Sequence, residues 1–512
     1  MFVKVPAAAL YGVYAYPVMV EVNISPGLGY AIVGLPDNAV KESRERVETA
    51  IRNSGFSFPR GKIIINLAPA DLRKEGTAYD LPIAVGILAA SGQIEREGFE
   101  DCLSMGELSL DGTLMPIRGA LPIAILARKN QTRTVLMPPA NAREAGIVKD
   151  ISVYAPKNLK EAVDFLSGRK SLQPVFVDAR ALFQEASENY PVDMREVKGQ
   201  LHLKRAMEVA AAGGHNLLMI GPPGAGKTMI AQRLPTILPP LSLEEALETS
   251  RIYSVAGLLK EDTGLLTRRP FRAPHHTISD VALVGGGNYP LPGEISLAHN
   301  GVLFLDELPE FKRQVLEVLR QPLEEGKIVI ARARFRIEYP ARFMLVAAMN
   351  PCPCGYYTHP TRPCTCAPGA AQRYAARISG PLLDRIDIHI SVTPVETSAL
   401  SQESTGEDSS TIRARARKAR EIQAHRFGTI PNIHTNSQMP PKLVEEICRL
   451  DEPSRRLLEN AANRLQLSAR AYHRILRVAR TIADLDSSES IKAHHLAEAV
   501  TYRTLDRATW GT

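Results

Sequence analysis

Apolar and polar positions repeat with two different periods along this chain, and the change of period divides it into parts. Residues 18–22 and 30–33 are short apolar runs bounded by Gly and Pro and predict strands. Residues 38–54 place apolar side chains every three to four positions, an amphipathic helix that closes near Gly55. A strand is expected at 62–67, a buried helix at 81–91 and a strand at 103–108. Residues 169–190 mix short apolar pieces with polar ones and read as a connector. The uninterrupted apolar runs 217–220, 302–305 and 343–349 follow, and such runs suit parallel strands covered on both faces. Residues 396–410 are rich in Ser, Thr, Glu and Gly, with little to bury, and predict a flexible linker. From 411 the spacing is helical to about 507. The expectation is an α/β chain: an N-terminal α/β domain at 1–168, a connector at 169–190, an α/β core with a parallel sheet at 191–395, a linker at 396–410, and a helical lid domain at 411–512. No internal repeat is visible.

Length agrees with this division, since 512 residues at roughly 150 per domain give about three domains. With 45% hydrophobic and 23% charged residues, the chain is neither collagen-like, disordered nor disulfide-dense. A net charge of +7 over this length permits a nucleic-acid partner without arguing for one. The apolar run 5–20 is interrupted by Pro6, Gly12 and Pro17 and falls short of the ~20 residues of a membrane span. It predicts opening strands, no membrane contact and a cytoplasmic protein.

The chemistry concentrates in the second unit. Gly221, Pro222, Pro223, Gly224, Ala225, Gly226, Lys227 and Thr228 fit GxxxxGK[ST], preceded by an apolar strand and followed by a helical pattern. In that context the backbone N–H groups close around phosphates at a helix N-terminus. Lys227 would reach the β- and γ-phosphates of ATP, and the Thr228 hydroxyl would sit on Mg²⁺. The run 301–305 ends in Asp306 and Glu307. Asp306 is the expected Mg²⁺ carboxylate, and Glu307 the group that orients and activates water. A third run ends in Asn350, whose side chain at a strand tip can position the water or sense the γ-phosphate.

This set, with its helical lid, resembles AAA+ ATPases. Phe271-Arg-Ala-Pro-His-His-Thr, Gly293-Glu-Ile-Ser-Leu-Ala-His-Asn-Gly301 and Ser379-Gly-Pro-Leu-Leu-Asp-Arg-Ile-Asp resemble the magnesium-chelatase-like branch. Residues 32–44 (Ile-Val-Gly-Leu-Pro-Asp-Asn-Ala-Val-Lys-Glu-Ser-Arg) and 66–72 (Asn-Leu-Ala-Pro-Ala-Asp-Leu) narrow the resemblance to the YifB/ComM family, from end to end. That resemblance implies a ring-forming motor, a hexamer by analogy with related motors, linked to DNA branch migration in natural transformation. It implies two further roles: Arg385 as an arginine finger acting on the neighbouring subunit, and Arg470 as the lid's sensor arginine.

Residues 106–119, with Lys74-Glu-Gly-Thr-Ala-Tyr-Asp, resemble the Lon protease domain. That domain needs a serine and a lysine. The serine position falls on Ala78 and the lysine position on Leu121, with no lysine in 116–127. The dyad is missing, so the expected role is binding or ring assembly rather than proteolysis.

Four of the six cysteines, Cys352, Cys354, Cys364 and Cys366, form a CxC…CxC cluster just after Asn350, and His359 lies between the pairs. Paired thiols at short spacing predict a Zn²⁺ site that would stiffen the loop beside Asn350. Residues 328–337 alternate as one strand, with Arg332, Arg334 and Arg336 on one face, Lys327 before them and Arg342 after. In related motors a hairpin at that point enters the central pore, where arginines would grip DNA phosphates without reading bases. Arg413, Arg415, Arg417, Lys418 and Arg420 wrap a helix start and are expected to form a solvated face. His275 and His276 are adjacent and expected to diverge. The function expected is a DNA motor, helicase or branch-migration enzyme. The alternatives are a magnesium-chelatase-type motor subunit acting on a protein partner and an ATP-dependent protease, which the missing dyad disfavours.

Overall fold

The computed structural model describes residues 1–94, 99, 101–186, 190–287, 290–332, 335–357, 359, 361–394, 406–431, 433–465 and 467–503. The chain opens on a four-stranded sheet. Phe2–Tyr11 pairs antiparallel with Tyr14–Ser25, which pairs with Lys62–Ala68, which in turn takes Gly29–Val33 in parallel. The run expected to be opening strands is a tight hairpin, with alternate residues such as Val5, Val20 and Val22 fully buried. Against it lies the helix Asp80–Ala90, buried along its whole length, as its unbroken apolar sequence requires. Gly86 marks the closest approach: a Cβ there would stand 2.6 Å from Val22. Asp80 is buried at the helix start, and burial pushes its carboxyl up to about 6 although Arg46 binds it with two hydrogen bonds of 2.8 and 3.0 Å.

The strand expected at 103–108 is two strands, Cys102–Ser104 and Glu107–Leu108. Between them the chain leaves one sheet for another. Met105 N–H donates to Leu136 O and Gly106 N–H to Ala78 O. The connector is more ordered than its composition suggests: Val175 bridges to Val153, and Ala179–Ala186 is a helix.

The second core is a five-stranded parallel sheet in the order Phe271–Arg272, Val302–Leu305, Met344–Met349, Leu217–Ile220, Ile388–Ser391. The middle three strands are buried at every position, because helices and loops cover both faces. Parallel alignment brings the ends of these strands together at one edge, where ligands of open α/β sheets bind.

A helix occupies Ser409–Phe427, so helical structure starts inside the stretch expected to be linker. Asp408 caps it by accepting from Thr411 N–H at 2.8 Å, and Ser409 Oγ accepts from Met194 N–H at 2.7 Å. Residues 395–405 lie outside the described residues. The C-terminal part is helical, as expected, with helices at Glu452–Leu465, Ala469–Leu485 and Ala493–Thr501. Buried Asp484 organises it, accepting from Arg426, Arg480 and Asn436. No helix among the described residues is long and apolar enough to cross a membrane.

The N-terminal hairpin is wedged into the second core. Val13, at its tip, is 2% exposed and belongs to an apolar cluster of the five-stranded sheet. Gly12 takes φ +62°, and a Cβ there would meet Ile337 at 2.9 Å. The Tyr11 hydroxyl donates to Arg336 O at 2.9 Å and accepts from Arg336 N–H at 3.2 Å.

Candidate nucleotide site

The strand Leu217–Ile220 runs into the loop 221–226 and then the helix Lys227–Ala231. Gly221 passes so close to the last core strand that a Cβ would stand 2.3 Å from Val392 O, and Gly226 turns into the helix at φ +85°. Lys227 Nζ donates to Gly221 O at 2.7 Å, Pro222 O at 2.9 Å and Asn350 Oδ1 at 3.1 Å. Burial depresses the Lys227 ammonium, while Asp306 and Glu307 oppose the shift. Thr228 Oγ1 donates to Asp306 Oδ2. Asp306 also accepts from the Glu307 N–H at 2.9 Å, and Glu307 stands at φ +52° with its carboxylate half-exposed. The structure thus brings Lys227, Thr228, Asp306, Glu307 and Asn350 to one strand edge, as their places in the sequence require. Thr228 and Asp306 offer two oxygens at one point, the donor set that Mg²⁺ takes in such sites. Pro222 and Pro223 carry no N–H, and the Gly221 and Ala225 N–H groups donate to Met349 O and Pro222 O, so the backbone N–H groups the loop offers to a phosphate are those of Gly224 and Gly226.

One neighbour of this site was not foreseen. His276 Nδ1 is 3.3 Å from Glu307 Oε2. Its ring lies 4.1 Å from that of His275, so the adjacent histidines do not diverge as expected. They sit on irregular chain just past Phe271–Arg272, where the 3.6- and 2-residue periods do not apply. The signal was topological: Phe271 pairs in parallel with Val302, so the residues beyond both strands meet.

Arg385 and Arg470 are elsewhere. Among the described residues neither bonds to the loop 221–228, Asp306, Glu307 or Asn350. Arg385 is 7% exposed; it donates to Pro381 O and to Glu324. Burial depresses its guanidinium, and the charges of Arg320 and Arg470 add to the effect. Arg470 is thus within electrostatic reach of Arg385.

The four cysteines form a compact group next to the phosphate loop. Cys352, Cys354 and Cys364 have Sγ separations of 3.3, 3.8 and 3.5 Å, and all four sulfurs, Cys366 included, lie within 4.8 Å of one another. None is in a disulfide. A tetrahedron of ~2.3 Å Zn–S bonds has edges of about 3.8 Å, so the group fits zinc. His359 Nδ1 instead accepts from Thr361 and Arg362 N–H, which leaves it outside the group. The loop abuts the phosphate loop: a Cβ on Gly355 would stand 2.5 Å from Pro223.

The single alternating strand expected at 328–337 is a hairpin, Lys327–Arg332 with Phe335–Pro340. Its register pairs Arg336 with Ala331 and Arg332 with Phe335, so the arginines do not line one strand face. The alternation continued across a reversal of direction, which the period alone cannot reveal. Ile328, Ile330, Ile337 and Tyr339 fill the buried face. On the open face, Arg336 is 74% exposed and Lys327 lies 3.1 Å from Glu338. Arg334 and the side chain of Arg332 lie outside the described residues.

The basic helix start is a solvated face only in part: Arg417 and Lys418 are exposed, and the other three are engaged. Arg415 bonds Glu208 and Glu407, Arg413 donates to Thr236 O at 3.1 Å, and Arg420 donates to Ala211 O. The N-terminal domain has no Ser–Lys pair at the positions in question: Ala78 packs against its core, and Leu121 is fully buried.

Comparison with known proteins adds three family matches. Residues 193–400 match magnesium chelatase subunit ChlI, 20–141 match subunit ChlI of Mg-chelatase, and 406–503 match the ChlI C-terminal model. The competence protein ComM of Haemophilus influenzae is 47% identical over 507 residues, covering 98% of this chain and 97% of that one. The YifB protein of Escherichia coli is 46% identical over 504 residues, covering 98% and 96%. The magnesium-chelatase 38 kDa subunit of Cereibacter sphaeroides is 24% identical over 177 residues, covering 31% and 53%.

Proposed function

The chain belongs to the ComM/YifB family of magnesium-chelatase-like AAA+ ATPases, and we propose that within it this protein is an ATP-driven, ring-forming DNA motor that separates strands or migrates branches. Lys227 and the loop 221–226 hold the phosphates, and Thr228 and Asp306 hold Mg²⁺, which neutralises charge on the phosphates when bound. Glu307 orients the attacking water and takes its proton, and Asn350, held by Lys227, fixes the water's place. Arg385, released from Glu324, reaches the γ-phosphate across a subunit interface, with Arg470 beside it. A hexameric ring supplies that interface. Zinc on Cys352, Cys354, Cys364 and Cys366 stiffens the loop against Pro223. The protein works in the cytoplasm.

One observation carries the DNA reading. The hairpin Lys327–Pro340 lies in the chain between the strand ending at Asp306 and the strand ending at Asn350, with two short helices before it, and it holds Arg336 out to solvent. The near full-length likeness to a relative named a competence protein fits the same reading, with a role in integrating DNA during transformation. The chelatase-type alternative is supported by the family matches over 20–141, 193–400 and 406–503, but the magnesium-chelatase 38 kDa subunit itself aligns over less than a third of this chain, whereas ComM and YifB align over nearly all of it. ATPase rates measured with and without single-stranded and forked DNA test the proposal. Stimulation by DNA with strand displacement is expected. Failure to bind DNA at low salt with ATP and Mg²⁺ present removes the DNA reading and leaves the motor.

A further inference from the structure

A second basic site lies away from the phosphate loop. A cavity of ≈ 250 Å³ opens between the connector, the ATPase core and the first helix of the C-terminal part. Its cations are Arg268, Arg269, Arg413 and Arg417, and among the described residues none that lines it is acidic. Tyr190 stands in its wall with guanidinium groups against its ring, Arg268 at 5.0 Å and Arg413 at 5.7 Å from the centroid. The core contributes Leu238 and Leu241, beyond the short helices that follow Lys227, and no residue of the phosphate loop lines the cavity among the described residues.

The charges here are unevenly matched. Arg269 is held by Glu245 at 3.0 Å and by the backbone oxygens of Pro239 and Asn300. Arg417 pairs with Glu421 at 3.0 Å, but both are exposed at the mouth, where such a pair contributes little. Asp408, next to the Ser410 of the lining, is committed to the helix cap and to Arg195. Arg413 has no carboxylate within ion-pair distance among the described residues; it holds only Thr236 O and the Tyr190 ring. Arg420, two turns further along the same helix, adds a cation that burial and Arg269 already depress. A half-buried cation without a counter-charge, beside others in a restricted cavity, is a place where an anion is stabilised.

We propose that this cavity is a second phosphate-binding site, centred on Arg413 and flanked by Arg268 and Arg417, that takes a phosphate group and by doing so fastens the helical domain to the ATPase core. The phosphate comes either from a nucleic-acid backbone or from a small free phosphate compound.

The two sources are separated on the full-length chain. Lys227→Ala disables the phosphate loop, and calorimetry then tests inorganic pyrophosphate against the remaining site. Saturable binding is expected, weakened at least tenfold when Arg413→Ala is added and largely kept with Arg413→Lys. In parallel, Arg413→Ala in the otherwise native chain is titrated with oligothymidylate over a salt series. Loss of one backbone contact lowers the slope of log affinity against log salt by about 0.7. An effect on pyrophosphate alone assigns the small phosphate, and a change of slope assigns the backbone. No effect in either arm overturns the site. If Arg413→Ala fails to fold, Arg417→Glu at the exposed mouth reads the same field. The pyrophosphate arm decides the matter even if the protein proves to bind no DNA.

Discussion

Arg474 Nη1 lies 2.5 Å from Asp387 Oδ1. This contact joins the start of the last core strand to the helix Ala469–Leu485, and it explains why Arg385 and Arg470 come together. Arg385 is two residues before Asp387, and Arg470 is one helical turn before Arg474. Neither arginine bonds to the phosphate loop among the described residues. If Arg385 serves a neighbouring subunit, as proposed, mixing Arg385→Ala subunits with Glu307→Gln subunits should restore part of the ATPase activity, because some interfaces pair an intact finger with an intact site. No recovery at any ratio, with mixed rings shown by native mass spectrometry, means that Arg385 does not act in trans.

Glu307→Gln should keep ATP binding and lower turnover by about 10²- to 10⁴-fold, the usual contribution of a general base. Lys227→Ala should weaken nucleotide binding itself. His276→Ala, which removes the side chain 3.3 Å from Glu307, should alter kcat more than KM. Normal turnover in Glu307→Gln rules out its assignment.

Asp387 also predicts a dependence on acid. Burial alone would raise its carboxyl, but Arg474 and His215 hold it well below the usual carboxylate range. The group is depressed in the folded state, so its contribution is present in full above the unfolded value near ~3.9 and is lost as the pH falls below it. Asp387→Ala should cost about 3–5 kcal/mol at pH 7, since it strands the half-buried Arg474. Urea melts at pH 7 and pH 3 should show the gap between wild type and variant shrinking at the lower pH.

The cysteine group should hold about one zinc per chain, as elemental analysis of chelator-free protein would show. Cys364→Ser should lose the metal and, through the contact of Gly355 with Pro223, lower ATPase activity. Metal-free native protein with full activity would leave four free thiols and no structural role.

Arg336→Ala should reduce the salt slope of DNA affinity by about 0.7–0.9 if it contacts one phosphate. DNA-free hydrolysis should persist, because the nucleotide residues are untouched. The loss should not depend on base sequence.

What could be foreseen in the sequence follows from how local each signal is. The phosphate loop, Asp306, Glu307 and Asn350 each end an unbroken apolar run, so a period of hydrophobicity and one polar terminus were enough to locate them. The hairpin at 327–340 kept its alternation through a reversal, so the same period assigned three arginines to one face when Arg336 pairs with Ala331. His276 and Glu307 are about thirty residues apart and meet only because their strands are parallel neighbours. Arg413 and Arg420 look like surface residues on a helix whose outward charge is real. What encloses them are the carbonyls of Thr236 and Ala211, and backbone acceptors leave no trace in residue type.

The wedge of Tyr11, Gly12 and Val13 constrains how this protein can vary. Gly12 has no room for a side chain against Ile337, and Tyr11 recognises the backbone of Arg336 rather than its guanidinium. The arginine can therefore be exchanged freely as far as the first domain is concerned, while the path of the chain through it cannot. Transplanting the first domain from a distant relative would fail at this one turn unless the hairpin travelled with it, so the two segments should be inherited as a single cassette although more than three hundred residues separate them.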